Sequence, residues 1–177
     1  MIRARDRSAA LATGLAAFVR LRERAGGGYS AGLLVMNGVG EPVEFVHCSI
    51  AAFPRVLWPA GLAQRKSIRA LLGKLFEGCR SEPVLLFCGD GDFGVARILS
   101  EDFELGLSAA SVRVETSTAH DGSRSPRGPT LHLSWIADLR SDLPAARRLL
   151  EELEARNLLA EPFERAEAAL RELEVAA

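Results

Sequence analysis

The sequence predicts an α+β fold, with a mainly antiparallel sheet of five or six strands flanked by helices and a C-terminal helical pair. Three observations predict it. First, residues 29–48 read as a hairpin: Tyr29–Met36 is apolar, Asn37-Gly38-Val39-Gly40 is turn chemistry, and Val43 and Phe45 alternate with Glu44 in Pro42–Cys48. An antiparallel hairpin is not a βαβ unit, so a doubly wound parallel sheet is disfavoured at this end. Second, Ser111–Ser117 alternates Val112 and Val114 with Arg113 and Glu115, and Thr130–Ile136 alternates Leu131, Leu133 and Trp135 with His132 and Ser134. Both have the period of half-buried strands. Third, the text from Pro144 onward is rich in Ala, Glu, Leu and Arg. Leu149, Leu150 and Leu153 form one stripe and Phe163, Ala166, Leu170 and Leu173 another, with Glu161-Pro162 between them.

The remaining elements follow in chain order. From Ser8 to Ala25, Leu11, Leu15, Phe18 and Arg22 recur at spacings of three and four, which predicts an amphipathic helix stopped by Gly26-Gly27-Gly28 rather than a transit peptide. Tyr29–Met36 is apolar on both faces and belongs at the centre of its sheet, with Pro42–Cys48 half exposed. Phe53-Pro54 and Trp58-Pro59 exclude helix before each proline and leave an irregular loop. Gln64–Phe76 places Ile68, Leu71, Leu72, Leu75 and Phe76 on one helical arc closed by Gly78. Val84–Cys88 is a short apolar strand, and Val95–Glu101 is either a returning strand or a short helix. Thr118–Pro129, without an aliphatic residue beyond Ala119, reads as a mobile loop. The expected organisation is a core domain over 1–140, with that loop at 118–129, and a helical hairpin over 141–177.

Composition narrows the function classes. The chain has 177 residues, 22 Lys+Arg against 23 Asp+Glu and a net charge of −1, so no global field draws it to a polyanion and nucleic acid is not an expected partner. Cys48, Cys79 and Cys88 are odd in number, and none belongs to a CxxC pair. Buried free thiols in a reducing, cytoplasmic setting are expected. No apolar run approaches the ~20 residues of a membrane helix, so no membrane partner is expected.

The predicted order, α-β-β-α-β-(β or α)-β-β-α-α, resembles the roadblock and longin families of small scaffold domains over residues 8–157. The resemblance rests on element order. It implies protein partners, such as small GTPases or further copies of the same domain, and no catalytic residues.

The sharpest local signal is Val84-Leu85-Leu86-Phe87-Cys88-Gly89-Asp90-Gly91-Asp92-Phe93, an apolar strand entering a corner of glycines and acids. The first reading is a hairpin turn, in which glycine supplies positive φ and aspartate supplies acceptors. The alternative is a ligand corner, because glycine lets a polar group approach bare backbone N–H. This stretch resembles the first motif of class I methyltransferases that bind S-adenosylmethionine, most closely the ribosomal-RNA methyltransferase-like group. That resemblance implies Gly89 and Gly91 along the cofactor and Asp90 at the group's acidic position. Such domains carry this motif on their first strand and an acid at the end of the next, and neither feature is met here.

Other chemistry is sparse. Asp90, Asp92, Glu101, Asp102 and Asp138 are the acids from which a two-metal phosphodiesterase site would have to be assembled, and they read as solvated loop acids. His47, His120 and His132 fit no metal-ligand spacing, and no metal or other cofactor is expected. Arg124 and Arg127 offer salt-sensitive contacts to phosphate on a loop. No nucleophile elbow or Walker loop appears. In Phe53-Pro54-Arg55-Val56-Leu57-Trp58-Pro59, the residues Phe53, Arg55 and Trp58 are typical interface anchors on a proline-stiffened loop. The expectation is therefore a non-enzymatic accessory subunit, engaging a protein partner or a second copy through this loop and the C-terminal helices. The alternative is a small-ligand, nucleotide or S-adenosylmethionine enzyme using Gly89, Asp90, Gly91 and Asp92.

Overall fold

A computed structural model describes residues 14–25, 27–54, 56–89, 94–101, 109–117, 130–137 and 143–175. In chain order the elements are β1 (Leu15–Glu23), β2 (Tyr29–Asn37), β3 (Pro42–Ile50), α1 (Ala60–Gly78), β4 (Leu85–Gly89), α2 (Val95–Glu101), β5 (Ala110–Ser117), β6 (Thr130–Ala137), α3 (Leu143–Ala155) and α4 (Glu161–Val175). The strands form one sheet in the order β3-β2-β1-β4-β5-β6.

The first departure from expectation is β1, which is a strand where the three-and-four spacing predicts a helix. Residues 16–19 and Leu21 are buried. The segment lies inside the sheet between β2 and β4, with Phe18 opposite Leu34 on one side and Phe87 on the other. A strand covered on both faces is apolar throughout, and such a run also satisfies a helical template. The predicted stop in fact includes part of the β1–β2 turn, where Gly27 donates its N–H to the Arg24 carbonyl at 2.9 Å. Gly28 is required there: its φ is +91°, and a Cβ would lie 2.2 Å from the Ile50 carbonyl oxygen. Residues 8–13 of the predicted helix lie outside the described residues.

The β2–β3 hairpin forms as expected. Every residue of β2 is buried, while β3 alternates at the sheet edge. Asn37 builds the turn by accepting the Val39 and Glu41 N–H groups on Oδ1. Beyond this hairpin the sheet is mixed, which corrects the mainly antiparallel expectation. β1 pairs with β4, and β4 with β5, in parallel, while β1–β2, β2–β3 and β5–β6 are antiparallel. The reason is that α1 and α2 are crossovers. Each carries the chain back across the sheet, so the next strand enters from the same end as its neighbour.

Two cores result. On one face Ala17, Val19, Leu33, Val35, Leu86 and Cys88 pack against Ile68, Leu71, Leu72 and Leu75 of α1 and Ile98 and Leu99 of α2. On the other, Phe18, Met36, Phe87 and Val112 pack against Leu149 and Leu153 of α3 and Phe163 and Ala166 of α4. Phe18 stacks on Phe87 at 4.7 Å and meets Phe163 edge-on at 5.3 Å. The expected C-terminal stripes therefore cover the sheet. No helix among the described residues is long and apolar enough to cross a membrane. The predicted loop at 118–129 lies outside the described residues, and with it His120, Arg124 and Arg127.

Candidate functional site

Parallel pairing places the carboxyl ends of β1 and β4 at one edge of the sheet. Val19 is opposite Cys88, and Gly89, the last residue of β4, is opposite Val114 of β5. Gly94, with φ +79°, offers the carbonyl that accepts the Ile98 N–H as α2 begins. Gly89 to Gly94 therefore connects a central parallel strand to a crossover helix. This corrects the hairpin-turn reading, and Val95–Glu101 resolves as helix. The carboxyl end of a parallel strand is where open α/β sheets bind ligands, because backbone N–H groups and loop residues converge there. Asp90, Gly91 and Asp92 belong to this corner by sequence and lie outside the described residues.

The other acids do not assemble with them in what is described. Glu101 receives Arg97 at 2.7 Å and is also paired with Arg65, which ties α2 to α1. The Arg97 hydrogen bond, helped by the charge of Arg65, holds the Glu101 carboxyl below its ordinary range. Asp102 and Asp138 lie outside the described residues. β1 carries no acid before Glu23. No three His, Cys, Asp or Glu side chains come together among the described residues, so these do not fit a metal centre. His47 is exposed on the edge strand, with its ring 6.4 Å from Phe45.

The cysteines are free, with Cys88 buried and Cys48 and Cys79 half-buried. Burial pushes the Cys48 and Cys79 thiols up, away from the thiolate a nucleophile needs. Cys79 belongs to a structural knot around Glu44 of β3. This carboxylate accepts the Arg80 and Ser81 N–H groups at 3.0 and 2.9 Å and the Ser81 hydroxyl at 2.6 Å. Burial raises the Glu44 pKa, but these hydrogen bonds outweigh it and leave the group below its ordinary value.

Beside the edge stands the Phe53–Pro59 loop. Its stem is fixed, since the Phe53 N–H donates to Ser67 Oγ at 3.1 Å, and that hydroxyl donates to the Ala63 carbonyl at 2.9 Å. Trp58 is half-buried with Lys66 Nζ 4.0 Å from its ring centre, and Phe53 is 36% exposed. Arg55 lies outside the described residues. The tip is Val56 and Leu57, 96% and 72% exposed, which sequence reasoning passed over for their aromatic neighbours. The signal available was an apolar pair between two prolines with no periodic partner to bury it. The helix that follows, α1, exposes Leu62, Arg65, Arg69 and Lys74 along its length. Between the β1–β2 turn, the end of β3 and the first turns of α1 lies a half-open cavity of about 410 Å³. Its lining is scattered from Glu23 to Ser67, so no motif announces it.

The sequence matches no protein-family model and no curated protein. Solved structures do match. Endonuclease V from Bacillus subtilis superposes with a TM-score of 0.52 at 15% identity, covering 91% of this chain and 80% of that one. Human ENDOV gives 0.53 at 17% identity, covering 99% and 92%. Endonuclease V of Ciona intestinalis, solved in complex with a 24mer DNA containing an inosine followed by a ribo-adenosine, gives 0.50 at 10% identity over 90% and 87%. At these identities the likeness establishes the fold.

The likeness overturns the scaffold reading. The element order on which the roadblock and longin resemblance rested, and with it the accessory subunit working through protein partners or self-association, is not met, since β1 is a strand and the sheet is mixed, and the solved structures that match are Endonuclease V. The glycine corner follows the fourth strand of the chain, β4, and not the first, unlike the first motif of the S-adenosylmethionine methyltransferases. The exclusion of nucleic acid also fails. A net charge near zero is a sum over the surface and does not prevent one helix from presenting a basic face.

Proposed function

We propose that the protein binds nucleic acid, with the sugar-phosphate backbone along the carboxyl edge of β1, β4 and β5 and the bases against the Phe53–Pro59 loop. The observation that carries this reading is the whole-chain likeness in fold to Endonuclease V, one example of which was solved on DNA. The chain's own surface supports it. Val56 and Leu57 project from the loop that leads into α1, on which Arg69 and Lys74 are exposed and Lys66 lies over Trp58. Exposed apolar tips backed by cations are how proteins press on base steps while holding phosphates. Phe53 and Trp58 flank that tip, and Arg55 precedes it in the sequence.

The test is fluorescence anisotropy with labelled single-stranded and duplex oligonucleotides, with and without inosine, at low and physiological salt. Saturable binding that weakens with salt is expected, and no binding at low salt overturns the proposal.

A second reading is phosphodiester hydrolysis. What favours it is the position of Asp90 and Asp92 in the sequence, immediately after the end of β4. These are the residues that would hold a divalent cation at the edge. Cleavage of the same oligonucleotides with Mg²⁺ or Mn²⁺, lost in Asp90→Asn and Asp92→Asn, is the expected result. Cleavage unaffected by both substitutions, or absent with either ion, removes this reading.

A further inference from the structure

We propose that the outer edge of β3 pairs with the β3 of a second copy of this chain. Among the described residues β3 ends the sheet, with β2 on its inner side. The direction of its free backbone groups follows from the alternation along an antiparallel ladder. The Arg24 N–H bonds the Gly28 carbonyl, so the even residues of β2 turn to β1 and the odd ones to β3. Leu33, Ala31 and Tyr29 are opposite Val46, Cys48 and Ile50, which therefore face β2. Phe45, His47 and Ser49 turn their N–H and C=O groups outward. Edge strands are ordinarily blunted by charge, proline or a bulge. Here Pro42 and the bulge opposite Val35 lie at the start of β3, and residues 45–50 contain no proline, lysine or acid. Glu44 is turned away to Arg80 and Ser81.

Antiparallel pairing about a two-fold axis at His47 uses all three outward residues, with Phe45 opposite the partner's Ser49. Charge complementarity identifies the incoming strand as this chain's own. A Cβ on Gly78 would lie 2.9 Å from Val46, and Cys48 Sγ lies 3.5 Å from the Leu71 carbonyl. Helix α1 thus runs antiparallel above β3, with the turn that holds Lys74 and Glu77 over His47. Both side chains are exposed. Arg65 reaches Glu101 of α2 on one flank of α1, and Lys74 follows it by about two and a half turns, which places Lys74 on the opposite flank, toward the free edge. The axis sets the two α1 helices side by side in opposite directions, so each Lys74 meets the partner's Glu77. The C-terminal helices take no part, because their stripes are used in covering the sheet. The pairing is independent of any nucleic acid.

Sedimentation equilibrium of the full chain over a micromolar concentration range tests the pairing, and a reversible monomer–dimer equilibrium is expected. His47→Pro removes an outward N–H, leaves the β2 ladder intact and is expected to weaken the dimer at least ~10-fold, since the two-fold axis removes the bond twice. Lys74→Glu, at an exposed site, is expected to weaken it by a similar factor, and the further change Glu77→Lys to restore it. His47→Cys is expected to cross-link the dimer in oxidised glutathione, because residues opposite one another in a hydrogen-bonded pair lie ~5.5 Å apart, within disulfide reach. Ser49→Cys, away from the axis, is expected not to cross-link. A monomer throughout the range, a dimer of unchanged strength in both His47→Pro and Lys74→Glu, or cross-linking through Ser49→Cys and not through His47→Cys overturns the proposal.

Discussion

The two faces of the sheet are covered by helices in different ways. The face under α3 and α4 is sealed by the three phenylalanines and by ion pairs. Arg20 and Arg22 of β1 reach Glu167 at 3.1 and 3.0 Å, Arg22 also reaches Glu174 at 2.9 Å, and the Ser30 hydroxyl donates to Glu174 at 2.6 Å. The face under α1 and α2 has an equally dry aliphatic centre, but its rim is open. The cavity lined from Glu23 to Ser67 lies at that rim, and the exposed Val56–Leu57 tip belongs to the loop that leads into α1. The contrast teaches that one side of this sheet serves to hold β1 and β4 in place, while the other carries the surfaces able to meet a ligand.

The contrast can be broken most directly at its rigid side. Phe87→Ala removes a fully buried ring from the Phe18 stack and is expected to cost ~3–5 kcal/mol, read as a lower midpoint in urea unfolding with an unchanged slope. A loss below ~1 kcal/mol would mean this face is not the sealed one.

On the open side, Val56→Ser combined with Leu57→Ser is expected to weaken oligonucleotide binding by about tenfold, or ~1.4 kcal/mol, and to leave the melting temperature unchanged. A drop in melting temperature of the size seen for a core residue would make the tip part of the fold. Glu167→Gln sharpens the comparison, because Glu167 joins Arg20, Arg22 and Arg171. A loss of ~1 kcal/mol that shrinks in high salt, with oligonucleotide affinity intact, is expected.

The smallest effect is on pH dependence. Glu44 has a lowered pKa in the folded chain, so its contribution is present above the unfolded carboxylate value and is lost as pH falls through the folded one. Wild type is therefore expected to exceed Glu44→Gln in stability near neutrality. The two should converge in acid, as followed by unfolding midpoints across a pH series.

Much of the architecture was legible in the residues. The β2–β3 hairpin, the buried arc Ile68–Leu75 of α1, β5, β6 and the helical pair broken at Glu161-Pro162 all occur at or within a few residues of their expected bounds. Each rests on a local period or a local turn. The failures share a cause. β1 read as helix because its apolar residues satisfy both periods, and only β2 and β4 on either side make it a strand. The Gly89 corner read as a reversal because a glycine-acid turn has the same text whether the next strand returns beside the last or a helix carries the chain across. The candidate site was legible in part. The corner and the aromatic loop were both noticed, but the exposed Val56 and Leu57 and the cavity spanning Glu23 to Ser67 were not.

By itself the sequence determined which segments are apolar enough to be buried, where the chain must turn, and that no disulfide or metal motif is written into it. Tertiary structure decided that β1, β4 and β5 run in parallel, that their ends share an edge with the loop and the cavity, and that the fold is one shared with nucleases. The physical reason is range. Helical and turn preferences act over a few residues, whereas strand direction and the meeting of distant loops depend on partners that the chain acquires only when it crosses the sheet.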